Sequence, residues 1–308
     1  MNYFFKLIKK LFLFGFPVIF WTYIDSKTVK ANNKKHKIIN KWLTKKFKYF
    51  ITKYKEKTII TPLPCKAIPR QIWVCWWDGH ENMPPLISAC YNSVLQNSND
   101  YNVTLITKNN FSEYIYIPEF IIKKIYSNII TITHFSNIIR MLLLYKYGGL
   151  WLDATIFVTG NINLDKYESF FTIKREYGGE NVSKRRWTGN CIGGIPGFHF
   201  YNFICNFLFE YWKHYNIMPA HHLYDYSIAL SYNLFPDIKN MFDNIDFNNP
   251  NYMILTEYLY KEYDQELYKK ITYNTIFHKL NWKKKYLILT SENKETFYAS
   301  ILNNNANI

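Results

Sequence analysis

The chain has 308 residues, enough for one large α/β domain with an appendage and a sizeable core. Its formal charge of +15 sits at one end: residues 1–60 hold 15 lysines against Asp25 and Glu56, and the rest of the chain is close to neutral. That asymmetry argues against a nucleic-acid-binding body and confines any partner read from charge to the N-terminal segment. The cysteines Cys65, Cys75, Cys90, Cys191 and Cys205 are odd in number and lack CxxC or metal-knuckle spacing. They read as reduced thiols, not as a disulfide scaffold.

In chain order, the first predicted element is the apolar run LFLFGFPVIFWTYI at residues 11–24, with Lys6, Lys9 and Lys10 before it and Lys27 and Lys30 after it. Its 14 residues fall short of the ~20 needed to span a bilayer, and Gly15 and Pro17 interrupt it. No small-x-small cleavage site follows convincingly. The run is expected to associate with a membrane; a cleaved signal and a hydrophobic piece packed on the body are the alternatives. Next, HKIINKWLTKKFKYFITKYK spaces Ile39, Leu43, Phe47, Phe50 and Tyr54 at four, four, three and four, with Lys41, Lys45, Lys48 and Lys55 on other faces. This is a basic amphipathic helix. Near anionic lipid each lysine would contribute roughly 1 kcal/mol; a solvated helix packed on the domain is the competing reading. Residues 1–57 are thus the expected contact with an anionic membrane surface. No nucleic acid is expected, since no aromatic-basic binding module accompanies the helix.

TPLPCKAIP at 61–69 reads as a proline-rich linker. Beyond it, strands at 72–77, 101–107 and 150–158 alternate with helices at 84–96, 118–126 and 133–146. Alternation predicts an α/β fold with a mostly parallel, doubly wound sheet flanked by helices, and the basic helices as an appendage. In such sheets ligands bind beyond the carboxyl ends of the strands. The expected organisation is a hydrophobic membrane-associating segment at 1–30, the basic helix and linker at 31–66, a catalytic domain at 67–290 and a C-terminal tail at 291–308, frayed at its end.

One stretch poses a chemical problem. YGGLWLDATIF at 147–157 holds a single charge, Asp153, inside an apolar run. A lone carboxylate there is costly unless something pairs with it. The preceding helix, THFSNIIRMLLLYK, is apolar almost all round and therefore buried, yet it carries His134, Asn137 and Arg140 drifting around one side. A guanidinium on a buried helix needs an anion. Either Arg140 and Asp153 form an internal ion pair with no chemistry, or both line a site. In the second reading Arg140 faces a ligand anion and Asp153 holds a hard divalent metal, Mn²⁺ or Mg²⁺. Downstream, WTGNCIGG at 187–194 is a small-residue loop rich in backbone donors, with Asn190 its best side chain for binding a ligand; an ordinary turn is the alternative. Lys184-Arg185-Arg186 reads first as a solvated charge run. Asp225, at the start of a predicted helix, is the candidate acceptor-side base, or else a helix cap.

The spacing Ser136-Asn137-x-x-Arg140, seven residues, Gly148-Gly149-x-x-x-Asp153 resembles the core of the DXD-type sugar transferases with a GT-A-like nucleotide-sugar-binding fold. The closest likeness is to the bacterial capsular polysaccharide synthesis family. It extends over roughly residues 67–285 through IPRQIWVCWWDG, HFSNIIRMLLLYKYGGLWLDATIF, YDYSIAL and TIFHKLNWK. The resemblance implies glycosyl transfer from a nucleotide sugar, a UDP-sugar favoured, to a hydroxyl of a glycan or lipid-linked acceptor. It further implies retention at the anomeric centre and a seat on the cytoplasmic face of a bacterial inner membrane, peripheral or held by one N-terminal anchor. Asp153 matches the first acid of the metal motif and Arg140 the donor-sugar arginine. Asn137 stands where the wider group has Asp, and Thr155 where many have the second Asp. Trp76 or Trp77 would stack on the base; alternation allows one, and Trp76 is preferred. Lys279 and Trp282 would close over the diphosphate, and His278 would complete a metal set with Asp153 and Thr155. Two rivals stand beside this reading: a membrane-associated lipid-binding or scaffold protein in which Arg140–Asp153 is structural, and a protein-modifying, toxin-like glycosyltransferase.

Overall fold

The structure, a computed structural model, describes residues 2–23, 28–57 and 67–303. It opens with four helices: α1 (Asn2–Phe14), α2 (Phe16–Tyr23), α3 (Val29–Lys46) and α4 (Lys48–Lys57). Thr28 caps α3, its hydroxyl accepting from the Ala31 N–H. Of the periodic apolar face read from the sequence, Ile39, Leu43 and Phe47 are buried and Phe50 and Tyr54 partly buried, with Ile51 buried beside them. That face meets protein, however. Phe47 lies edge-on to Phe207, and Tyr54 edge-on to Phe203. Those partners belong to a later helix, so α3 and α4 are part of the body's core and present their lysines to solvent. Most of the expected linker, residues 61–66, lies outside the described residues.

The body follows as β1 (Gln71–Cys75), α5 (Pro85–Asn97), β2 (Asn102–Ile106), α6 (Phe111–Tyr114), α7 (Glu119–Tyr126), α8 (Ile132–Tyr147) and β3 (Gly149–Asp153). Next are β4 (Ile156–Val158), β5 (Phe170–Thr172), β6 (Cys191–Gly194), α9 (His199–His214), α10 (Leu223–Leu234), α11 (Pro236–Asp243), α12 (Gln265–Thr272), β7 (Phe277–Lys279) and α13 (Phe297–Asn303). The main sheet has the order β2-β1-β3-β6-β5. β1 pairs in parallel with β2 and with β3, while β6 runs antiparallel to both its neighbours. Four of the five strands therefore point one way, the mostly parallel α/β sheet that alternation predicts.

Alternation along the strands assigns the two sheet faces. Trp73 and Trp151 point to one face, toward the core built with α8 and α9. Ile72, Val74, Leu150 and Leu152 point to the other, with Ile87 and Val94 of α5. The chain enters β3 from α8 through a reversal in which Gly149 has φ +94°, and a Cβ there would stand 2.4 Å from the Gln71 carbonyl oxygen. Only glycine lets β3 lie this close to β1.

Two expectations need correcting. The strand predicted at 150–158 is two strands: β3 ends at Asp153, the chain turns at Ala154-Thr155, and β4 leaves the main sheet to pair antiparallel with β7. The C-terminal tail predicted from 291 contains α13, with Phe297 and Ile301 buried in a cluster with Leu86 and Cys90 of α5. Residues 304–308 lie outside the described residues.

Candidate active site

β1 stands between β2 and β3, and the connections leave it in opposite directions, so the strand order reverses between β1 and β3. At such a switch point a crevice opens beyond the carboxyl ends of the strands. Asp153 is the last residue of β3 and pairs in register with Cys75, the last of β1. Strand alternation gives Asp153 the face of Trp151, which is the face α8 covers. Because α8 runs directly into β3, its Arg140 lies beside the strand end.

The contacts are close. Arg140 Nη2 donates to Asp153 Oδ1 at 2.6 Å, and the Trp151 indole N–H reaches the same oxygen at 2.8 Å. Lys279 Nζ lies 3.4 Å from Asp153 Oδ2 and also donates to Thr155 Oγ1. Arg140 is 3% exposed, its guanidinium 4.9 Å from the ring centres of both Trp151 and Tyr224. Asp153 keeps 28% of its side chain open to solvent. Burial alone would raise the Asp153 pKa; the charges of Arg140 and Lys279 and the Trp151 hydrogen bond outweigh it, and the carboxyl is held below its ordinary range. Burial works against the Arg140 charge in the same way, and Asp153 overrides it, so the guanidinium pKa is raised.

The loop before β6 joins this corner to a second carboxylate. The Asn190 carbonyl accepts the Asp153 N–H at 2.9 Å, and its Oδ1 accepts from the Tyr252 hydroxyl at 2.5 Å. At the loop's other end the Trp187 indole donates to Asp225 Oδ1 at 3.3 Å. Between them, a Cβ on Gly189 would sit 2.4 Å from the Tyr224 ring, so glycine allows the loop to close on that ring. Asp225 lies in the first turn of α10, with His222 at 3.7 Å. Burial dominates its environment and raises its pKa against the opposing effects of His222, Trp187 and Arg140.

The predicted residues divide accordingly. Asp153, Arg140, Thr155, Lys279 and Asn190 are brought together. Asn137 stands one turn before Arg140, half-exposed and without a side-chain hydrogen-bond partner among the described residues. Trp76 lies edge-on to Trp282 at 5.6 Å, in the segment that follows Lys279. Trp77 packs against Phe111 and Phe135 instead. His278 is not brought to Asp153. Neighbouring strand residues face opposite ways, so while Lys279 faces the carboxylate, His278 is fully buried with Nε2 3.2 Å from Thr159 Oγ1 and 3.1 Å from the Thr275 carbonyl. Burial pushes its pKa down to about 4. Tyr252 escaped the sequence reading, and Trp187 and Tyr224 stood in quoted blocks without a role. YDYSIAL was a visible block, but nothing local marks Tyr252.

A 98-residue stretch is 29% identical to O-glycosyltransferase braB of Annulohypoxylon truncatum, covering 29% of this chain and 23% of that protein. The chain thus matches under a quarter of that relative's length. Among solved structures, the PaToxG glycosyltransferase aligns over 77% of this chain and 94% of its own at 15% identity and a TM-score of 0.39. The apo WbbM bifunctional glycosyltransferase aligns over 90% and 59% at 10% identity and a TM-score of 0.40. The sequence pattern of the family described as capsular polysaccharide synthesis protein matches residues 21–301, nearly the whole chain. The chain belongs to the capsular polysaccharide synthesis protein family.

Proposed function

We propose that the chain transfers a glycosyl group from a nucleotide-sugar donor, a UDP-sugar by preference, to a hydroxyl of a glycan or lipid-linked acceptor, with retention at the anomeric carbon. One observation carries this reading: two cations, Arg140 and Lys279, converge on one carboxylate at the carboxyl ends of β1 and β3. Asp153 balances one of them, and the surplus positive charge suits a diphosphate. As the bond from the anomeric carbon to the diphosphate breaks, charge grows on the leaving oxygens, and fixed cations there stabilise the transition state more than the ground state. The amides of Asn137 and Asn190 suit sugar hydroxyls, and Trp76 and Trp282 offer aromatic faces for a base. In a retaining transfer the departing phosphate takes the acceptor proton. In an inverting one Asp225 is the base, and the anomeric configuration of the product decides between them.

The acceptor is assigned to a groove of about 760 Å³ lined in part by Lys166, Arg175, Arg185 and Phe247. Arg175 stands 5.8 Å over the ring of Tyr252, the residue that hydrogen-bonds Asn190. Neither Arg175 nor Arg185 forms an ion pair among the described residues, which suits an acceptor bearing phosphate or carboxylate. On α1 and α2, Phe12 is 86% and Phe16 67% exposed, with Lys9 also exposed. No described helix is long and apolar enough to cross a membrane. We therefore propose that α1 and α2 lie in the plane of an anionic membrane surface, on its cytoplasmic side. Cosedimentation with anionic vesicles, weakened by Phe12→Ser with Phe16→Ser, tests that part.

A purely structural ion pair is the second reading, favoured by the 2.6 Å contact and the depth of Arg140. Heat unfolding of the full chain with UDP, GDP and CDP separates the two. A ligand bound only by the folded protein raises the midpoint by mass action. One nucleotide is expected to do so, and Asp153→Asn to abolish the shift while keeping the fold. No shift with any nucleotide would leave the structural ion pair.

A further inference from the structure

The family resemblance implies a divalent metal between Asp153 and Thr155, but the residues there do not fit one. A hard cation takes one or two carboxylates, phosphate oxygens and water. Here Asp153 is the one carboxylate, and its Oδ1 already accepts from Arg140 and Trp151. Among the described residues no three His, Cys, Asp or Glu side chains gather as a metal set. His278, the third expected ligand, faces Thr159. The remaining gap, between Asp153 Oδ2 and Thr155 Oγ1, is filled by the Lys279 ammonium, which touches both oxygens.

Strand pairing holds that ammonium in place. β4 and β7 pair with Ile156 opposite Lys279, and the Leu280 N–H donates to the Thr155 carbonyl at 2.9 Å. The backbone of Lys279 is thereby fixed one residue beyond Thr155, and its four-carbon stem reaches back to the oxygens a metal would bridge. A divalent ion entering the same gap would meet both this ammonium and the Arg140 guanidinium.

We propose that Lys279 is a built-in replacement for the metal, and that the donor site binds the diphosphate of a nucleotide sugar without a divalent cation. The proposal rests on the donor-site reading above. Asp153 then serves to aim two cations. In the transfer, the bond from the anomeric carbon to the phosphate oxygen breaks with its electron pair going to the diphosphate. A bond from that carbon to the acceptor oxygen forms, and the acceptor proton leaves to a phosphate oxygen. Lys279 takes no part in the proton transfer and is not consumed.

The test is a calorimetric titration of the full chain with UDP, GDP and CDP, in excess EDTA and again with Mn²⁺, with UMP as the control lacking the second phosphate. UDP is expected to bind with the same affinity, within about threefold, in both conditions. Lys279→Met keeps the apolar stem and is expected to weaken UDP binding by at least about tenfold in EDTA, the loss of a charge-assisted contact. The same change should alter UMP binding far less, and Lys279→Arg should keep most of the UDP affinity, with circular dichroism confirming the fold of each variant. UDP binding that vanishes in EDTA and returns with Mn²⁺ would overturn the inference and leave the donor site standing. Equal UDP affinity in wild type and Lys279→Met in EDTA would overturn it as well. If no nucleotide binds in either condition, the donor-site reading falls and this inference falls with it.

Discussion

Asp153 and Asp225 occupy two ends of one loop-built corner, and the protein handles them in opposite ways. Asp153 receives two cations and an indole N–H, and its carboxyl is held below the ordinary range although burial pushes the other way. Asp225 receives an indole N–H at 3.3 Å and a distant, solvent-facing histidine, and burial prevails. The same side chain, at similar exposure, has its pKa lowered in one place and raised in the other. Nearby charge decides this, not depth.

The comparison breaks most readily at Arg140. Arg140→Met leaves Asp153 without its nearest cation, and urea unfolding should register a loss of about 3–5 kcal/mol, as for a broken buried pair. A loss under about 1 kcal/mol would make the contact equivalent to a surface pair.

Turnover sharpens it next. Asp153→Asn should lower kcat by about 10²–10³-fold, the effect of disordering electrostatic stabilisation. Asp225→Asn should cost less than about tenfold under retention; a loss of about 10²–10⁴-fold, together with an inverted product, would identify it as the general base.

The pH dependence of unfolding has opposite signs at the two sites. The Asp153 pKa is lowered on folding, so its contribution is complete above the ordinary carboxylate range and disappears as pH falls through the lowered value. The Asp225 pKa is raised, so ionising it costs stability; the cost is absent in acid and complete above the raised value. As pH rises from about 4 through the raised value, Asp225→Asn should therefore gain stability relative to wild type, whereas the deficit of Asp153→Asn should grow only below that range, as pH rises through the lowered value, and stay constant above it. Matching slopes for the two variants would erase the distinction.

The smallest expected effect concerns a cation with no carboxylate partner among the described residues. Burial first, then the neighbouring Arg185 charge, lowers the Arg175 pKa. Arg175→Gln should raise the acceptor KM by about three- to tenfold and leave the donor KM unchanged.

Legibility followed sequence distance. Arg140, the glycine reversal and Asp153 lie within 14 consecutive residues, and helix period and strand alternation together bring the two charges to one face. The break after Asp153 was hidden because the apolar run continues through Ile156 and Phe157. What ends β3 is the pull of β7, a strand more than a hundred residues later. α13 was hidden by its asparagine-rich end, although Phe297 and Ile301 sit four apart and both are buried. The basic helix was legible as amphipathic, but a hydrophobic face does not say what covers it, and here α9 does.

By itself the sequence determined the α/β alternation, the buried arginine that needs an anion, and the asymmetry between a basic N-terminus and a near-neutral body. These are local properties: period, composition and the cost of an unpaired charge. Only the tertiary structure decided that Lys279, and not His278, faces Asp153. Adjacent residues of a strand point to opposite sides, and which side meets the carboxylate depends on the register of β4 against β7. A shift of one residue in that pairing would exchange the two.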